Sequence, residues 1–143
     1  MALTATAFSI PGTLRQEVVI DGHHRLVTDE PGRLGGEDSG PAPHELLPAA
    51  VAACVSTTLV MYARTKGWDL ADVAVDVGYD NRAMPPRCRV AVELGGALTD
   101  GQLQRLAKVA RACPVRRALE GGVRFEESIT TLSGGNHHAR GAA

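Results

Sequence analysis

The sequence predicts an α+β fold with the element order βββ-α-ββ-αα-β. Three observations carry that expectation. Asp21-Gly22 separates two runs rich in β-branched residues, a strong hairpin signal. One long apolar segment, residues 46–62, lacks strand alternation and is followed by Gly67, as a buried helix would be. Two strictly alternating runs come next, and after them Thr99 opens a stretch with apolar residues at helical spacing.

The elements follow in chain order. Residues 4–10 alternate weakly, residues 15–20 end in a β-branched run, and residues 24–28 complete the hairpin, giving three opening strands. Residues 29–43 form a Gly- and Pro-rich loop with Gly35-Gly36 and Gly40-Pro41. That loop is long for a compact domain, and loops of such length are usually functional. A helix is expected over about residues 44–66, starting near residues 44–47 because Pro48 is tolerable only in a first turn. It is apolar on nearly every face, so it must be covered on all sides, and a chain of 143 residues can hardly do that alone. A homodimer follows as an expectation.

Val73, Val75, Val77 and Tyr79 alternate with Asp76 and Gly78, and Cys88, Val90, Val92 and Leu94 with Arg87, Arg89 and Glu93. Helices are expected over residues 100–112, with Leu103, Leu106, Val109 and Ala110 inward, and over residues 115–119 after the interruption at Cys113-Pro114. A last strand is expected over residues 123–132. Residues 1–132 thus read as one domain, and residues 133–143 as a flexible tail.

Composition narrows the function. Fifteen Lys and Arg against sixteen Asp and Glu leave a net charge of −1, and only 3% of residues are aromatic. Neither a basic face for a phosphate backbone nor a supply of stacking rings exists, which argues against nucleic-acid binding. Residues 46–62 are short for a membrane span and contain Pro48, Ser56, Thr57 and Thr58. The first ten residues have no positive start and do not read as a signal peptide, so a cytoplasmic location is expected. There the three cysteines are free thiols unless turnover itself forms a disulfide.

Taken singly, the cysteines divide. Cys88 occupies the apolar phase of its strand and reads as a structural, buried residue. Cys54 is mid-helix among small residues, which suits either a core position or a thiol with room for a substrate. Cys113 precedes Pro114, and proline favours the first helical position, so Cys113 is expected at an N-cap. A thiolate there meets the positive end of the helix, with Arg111, Arg116 and Arg117 nearby, and its pKa is expected to fall; the alternative is a cysteine that fills a helix junction. Glu45 reads either as a first-turn residue satisfying the dipole or as a partner for Cys54 nine residues on. His44 stands near the start of the same helix, whereas His23-His24 and His137-His138 read as solvated. A metal site is not expected, for no compact ligand spacing exists.

The stretch Gly40-Pro41-Ala42-Pro43-His44-Glu45-Leu46-Leu47, then Ala52-Ala53-Cys54 and Thr57-Thr58-Leu59-Val60-Met61-Tyr62-Ala63, resembles the OsmC/Ohr signature around its first cysteine. Leu106 to Val115, with Ala112-Cys113-Pro114, is similar to the signature around the second. The resemblance covers about residues 15–132. It implies an intertwined homodimer with no cofactor and no metal, in which Cys54 attacks an organic hydroperoxide and becomes a sulfenic acid. Cys113 then condenses with it to a disulfide that a dithiol or thiol reductase opens. The resemblance further implies a glutamate and an arginine that orient the thiolate. The better known members have glutamate where this chain has His44; here Glu45 follows, an arrangement similar to another branch of the superfamily. For the arginine, Arg33 is in the right loop, with Arg25 and Arg15 on strands nearby. Non-catalytic binding of a small apolar ligand, or redox sensing, is the competing expectation.

Overall fold

The computed structural model describes residues 2–131, and the flexible tail expected over residues 133–143 lies outside them. The chain divides into two compact units, one of residues 1–46 with the stretch from Glu126 onward, the other Leu47–Phe125.

The first unit is an antiparallel sheet of β1 (Ala5–Ser9), β2 (Gln16–Ile20) and β3 (His24–Thr28), in that order. Ile20 pairs with His24 across a turn in which Asp21 and Gly22 both have positive φ, 50° and 75°. Asp-Gly suits that turn because glycine, and less readily aspartate, tolerates the left-handed region. The long loop after β3 is tied down by a buried carboxylate. Asp29 is 1% exposed and accepts from the backbone N–H groups of Glu30, Glu37 and Ser39 and from the Ser39 hydroxyl. Gly36 is needed because a Cβ there would stand 1.8 Å from the Glu30 carbonyl oxygen.

The second unit contains α1 (Leu46–Lys66, whose first residue belongs to the other unit), β4 (Val73–Asp80), β5 (Arg87–Leu94), α2 (Asp100–Arg111) and α3 (Pro114–Gly121). A short 3-10 turn, Pro43–Glu45, precedes α1. α1 ends at Gly67, whose φ of 66° lets Trp68 N–H reach back to the Ala63 carbonyl. Its buried residues, Val51, Val55, Leu59 and Ala63, recur every four positions and form the core with Leu106 and Cys113. β4 and β5 pair antiparallel, Val75 opposite Val92 and Val77 opposite Val90, and their apolar phases pack on that core. α2 begins in a reciprocal cap: Gln102 N–H donates to Thr99 Oγ1 and Thr99 N–H to Gln102 Oε1.

Two expectations are corrected. Residues 123–131 form no strand: the alternating pattern is there, but no strand among the described residues pairs with it, and Val123, Phe125 and Ile129 are exposed. Cys88 lies in the phase expected of it, yet it is exposed. It pairs with Tyr79 beside the connection between β4 and β5, outside the stretch of β5 that packs on the core, Val90 to Leu94.

Candidate active site

The helical break at Pro114 builds the site. Pro114 cannot extend α2, so the chain restarts as α3 with Cys113 at its N-cap and the proline at the first position. The first turn of α3 therefore offers unpaired N–H groups and a positive dipole end. Two sulfurs meet there. Cys113 is fully buried, and Cys54, partly buried on α1, receives hydrogen bonds from the Cys113 thiol, the Val115 N–H and the Thr58 hydroxyl.

The two thiols are driven apart in acidity. Burial works against ionisation of Cys54, but the donors from Cys113, Val115 and Thr58 outweigh it and hold its pKa below that of an ordinary thiol. Cys113 goes the other way. Burial pushes it up, donation to Cys54 and proximity to the Cys54 charge push it further, and the N–H groups of Arg116 and Val115 only partly offset this. The sequence led us to expect an acidified Cys113 at the N-cap. The cap is there, but the thiol whose pKa is lowered is Cys54, because one helix end serves both and Cys113 donates to the other sulfur.

A cleft of about 380 Å³ runs between α2 and the inner face of β5, and neither Cys54 nor Cys113 lines it. Leu59, Val92, Leu103 and Leu106 line it, with Arg111 and Arg116 among its walls. Arg116 pairs with Glu120 one turn on, at 2.8 Å.

The remaining expected residues lie in the first unit. Glu45 ends the 3-10 turn before α1, and its Oε2 accepts from Ala42 N–H at 2.9 Å, the capping role weighed for it. Arg33 is exposed on a 3-10 turn, Gly32–Leu34. Arg25 is paired with Glu17 across β2 and β3. Arg15 differs from both: its Nε is buried and has no hydrogen-bond partner. Among the described residues no group of three or more His, Cys, Asp and Glu gathers into a metal site.

The sequence pattern of the family described as OsmC-like protein matches residues 36–128, well over half the chain. The chain belongs to the OsmC-like family. No curated protein matches it. Among solved structures, it is similar to an OsmC-like protein from Mycoplasma pneumoniae, with 17% identity, 85% of this chain and 89% of that one covered, and a TM-score of 0.69. It is also similar to an organic hydroperoxide resistance protein OsmC from Legionella pneumophila, at 25% identity, 85% and 90% coverage and a TM-score of 0.60. The organic hydroperoxide resistance protein OhrB of Bacillus subtilis matches at 21% identity, 85% and 92% coverage and a TM-score of 0.55. The α+β arrangement of this OsmC-like chain, small sheets with three helices, is thus the fold of those proteins. Sequence reasoning about this family member missed Thr58 and the Val115 N–H as donors to Cys54. The signal for Thr58 was present, since a hydroxyl one turn after a helical cysteine faces the same way; the Val115 contact joins parts of the chain that no spacing rule connects.

Proposed function

We propose that this protein is a thiol-dependent organic hydroperoxide reductase in which Cys54 reacts and Cys113 resolves. The observation that carries the reading is the asymmetric sulfur pair: a thiol held acidic by three donors, one of which is the proton of the second thiol. In the first step the Cys54 thiolate attacks the distal oxygen of the peroxide. An S–O bond forms, the O–O bond breaks, and the leaving alkoxide takes a proton from solvent. In the second, the Cys113 sulfur, as thiolate, attacks the Cys54 sulfenic acid; the S–S bond forms and hydroxide leaves, to be protonated to water. An external dithiol then reduces the disulfide by exchange.

The reading includes a cytoplasmic homodimer. Supporting it, α1 leaves a line of small and apolar residues uncovered, Ala49, Ala53, Thr57 and Met61, and residues 123–131 expose an alternating pattern without a partner strand. α1, with the turn before it, is long and apolar enough by length and composition to cross a membrane, but its buried stripe is the protein's own core. Glu45 has Oε1 left for the glutamate role, because Oε2 holds Ala42. The arginine role stays with Arg33, with Arg25 and Arg15 as the alternatives. Arg33→Ala is expected to slow peroxide turnover about tenfold or more, with Arg15→Ala and Arg25→Ala as the comparisons that test the assignment.

The deciding experiment is a titration of the reduced protein with cumene hydroperoxide. One equivalent is expected to consume two thiols and to yield a Cys54–Cys113 disulfide by peptide mass spectrometry. Retention of all three thiols overturns the reading and favours the ligand-binding alternative.

A further inference from the structure

Thr58 follows Cys54 by one turn of α1, and its hydroxyl has two acceptors on that one residue. Oγ1 lies 2.7 Å from the Cys54 backbone carbonyl, and one turn on along the same helix it stands on the side of the Cys54 sulfur, whose pKa it helps to lower. A hydroxyl carries a single proton and can serve only one of them at a time. We propose that Thr58 is a charge-responsive donor: its hydroxyl rests on the Cys54 carbonyl while the sulfur is protonated or oxidised, and turns to the sulfur when that becomes a thiolate. This rests on the reading of Cys54 as the reacting thiol and adds to it a residue that stabilises the reactive form.

The turn costs little. Only the hydroxyl proton rotates, and Oγ1 stays where the helix puts it. The carbonyl it leaves is not orphaned, because it also lies where the helix brings the backbone N–H of residue 58. A thiolate is the stronger acceptor, since a hydrogen bond to a charged group is roughly twice as strong as one between neutral groups. A hydroxyl bonding back to the preceding turn is an ordinary resting place in a helix. Of the three donors to the sulfur, Cys113 and Val115 come from the start of α3, and Thr58 alone comes from the same helix as Cys54. It therefore remains in place in the second step, when Cys113 has changed from donor to nucleophile.

The titratable and charged groups around the sulfur are few. Cys113 is in contact with it. Tyr62, two turns along α1, is held by Arg105 Nε at 2.8 Å, and Arg111 and Arg116 line the neighbouring cleft. β4 and β5 bring Val73, Val75, Val77, Val90 and Val92 to the core.

The test is the rate of Cys54 alkylation by iodoacetamide between pH 5 and 10, read by peptide mass spectrometry on the reduced full chain. Thr58→Val, nearly the same shape without the hydroxyl, is expected to slow alkylation about tenfold below pH 7 and to leave the alkaline plateau within about twofold. That corresponds to an upward displacement of the profile by about one pH unit. Thr58→Ser is expected to restore the wild-type profile. If Thr58→Val does not fold, Thr58→Ala carries the same expectation. A variant profile that superimposes on the wild type, or one slowed equally at every pH, overturns the proposal. Because no peroxide is used, a wild-type protein that leaves cumene hydroperoxide untouched would sink the reductase reading alone.

Discussion

Cys54→Ser is expected to abolish hydroperoxide reduction, with a loss of about a thousandfold or more measured as peroxide consumed under excess dithiol. The serine hydroxyl fits the same space, but donors that lower the pKa of a thiol cannot bring an alcohol, whose pKa starts far higher, near ionisation. Cys113→Ser gives a different pattern. Cys54 still reacts and accumulates as sulfenic acid, trapped by dimedone, and then passes to sulfinic acid under excess peroxide because nothing resolves it. The first oxidation is also slower near neutral pH, since the Cys113 thiol is the first of the donors that lower the pKa of Cys54. If Cys54→Ser keeps its activity, or if Cys113→Ser turns over normally, the assignment of roles fails.

How far the sequence spoke depended on the range of the interaction. Local chemistry was legible. Asp21-Gly22 folds the turn that this dipeptide favours, Thr99 caps α2, and Pro114 places Cys113 at the start of α3. These features depend on neighbours a few residues away, and backbone preference decides them. What requires distant partners was misread or missed. The resemblance assigned Cys54 and Cys113 their roles, but the residue-by-residue expectation of an acidified Cys113 missed which sulfur the Val115 N–H and the opposing thiol reach, because no spacing encodes that. The alternation of residues 123–131 was real, but alternation specifies a face and not the presence of a partner strand. Cys88 shows the same limit, since a strand phase points a side chain inward only where something covers it. The loop after β3 was noted for its length and its glycines, yet its organiser is Asp29, an unremarked acid at the loop's first position. A carboxylate that gathers donors from one, eight and ten residues onward has no periodic signature.

The helix end of α3 thus serves the proposed reaction twice. It first supports the charge on Cys54, with the Val115 N–H aimed at that sulfur. Once Cys54 has been oxidised its charge is gone, and with it two of the influences that kept Cys113 protonated. The N–H groups of Val115 and Arg116 then act on Cys113 without that opposition, so it ionises more readily when its turn to attack arrives. One unpaired helix end, positioned by one proline, can in this way activate both sulfurs in sequence.

The second large effect concerns stability, and it centres on Asp29. Burial alone would raise the pKa of this carboxyl, but the backbone and hydroxyl donors of Ser39 and the N–H groups of Glu30 and Glu37 overcome that and lower it from 3.8 to about 2. A group whose folded pKa is depressed contributes stability that is fully present above the unfolded value and is lost as pH falls through the folded one. The contribution of Asp29 is therefore expected to be complete above about pH 4 to 5 and to fade between 3.8 and about 2. Asp29→Asn keeps the size of the side chain but has one acceptor oxygen where the carboxylate has two, and it turns an amide N–H₂ toward backbone N–H that can only donate. At pH 7 its Tm is expected to fall by on the order of 5 °C or more. The amide protons of Glu37 and Ser39 should exchange with solvent faster in the variant, since their acceptor is the Asp29 carboxylate. The gap in Tm between wild type and variant should then narrow as pH falls from 4 toward 2, because protonation removes from the wild type what the substitution removes from the variant. A gap that stays constant over that range would mean that the carboxylate charge does not hold the loop.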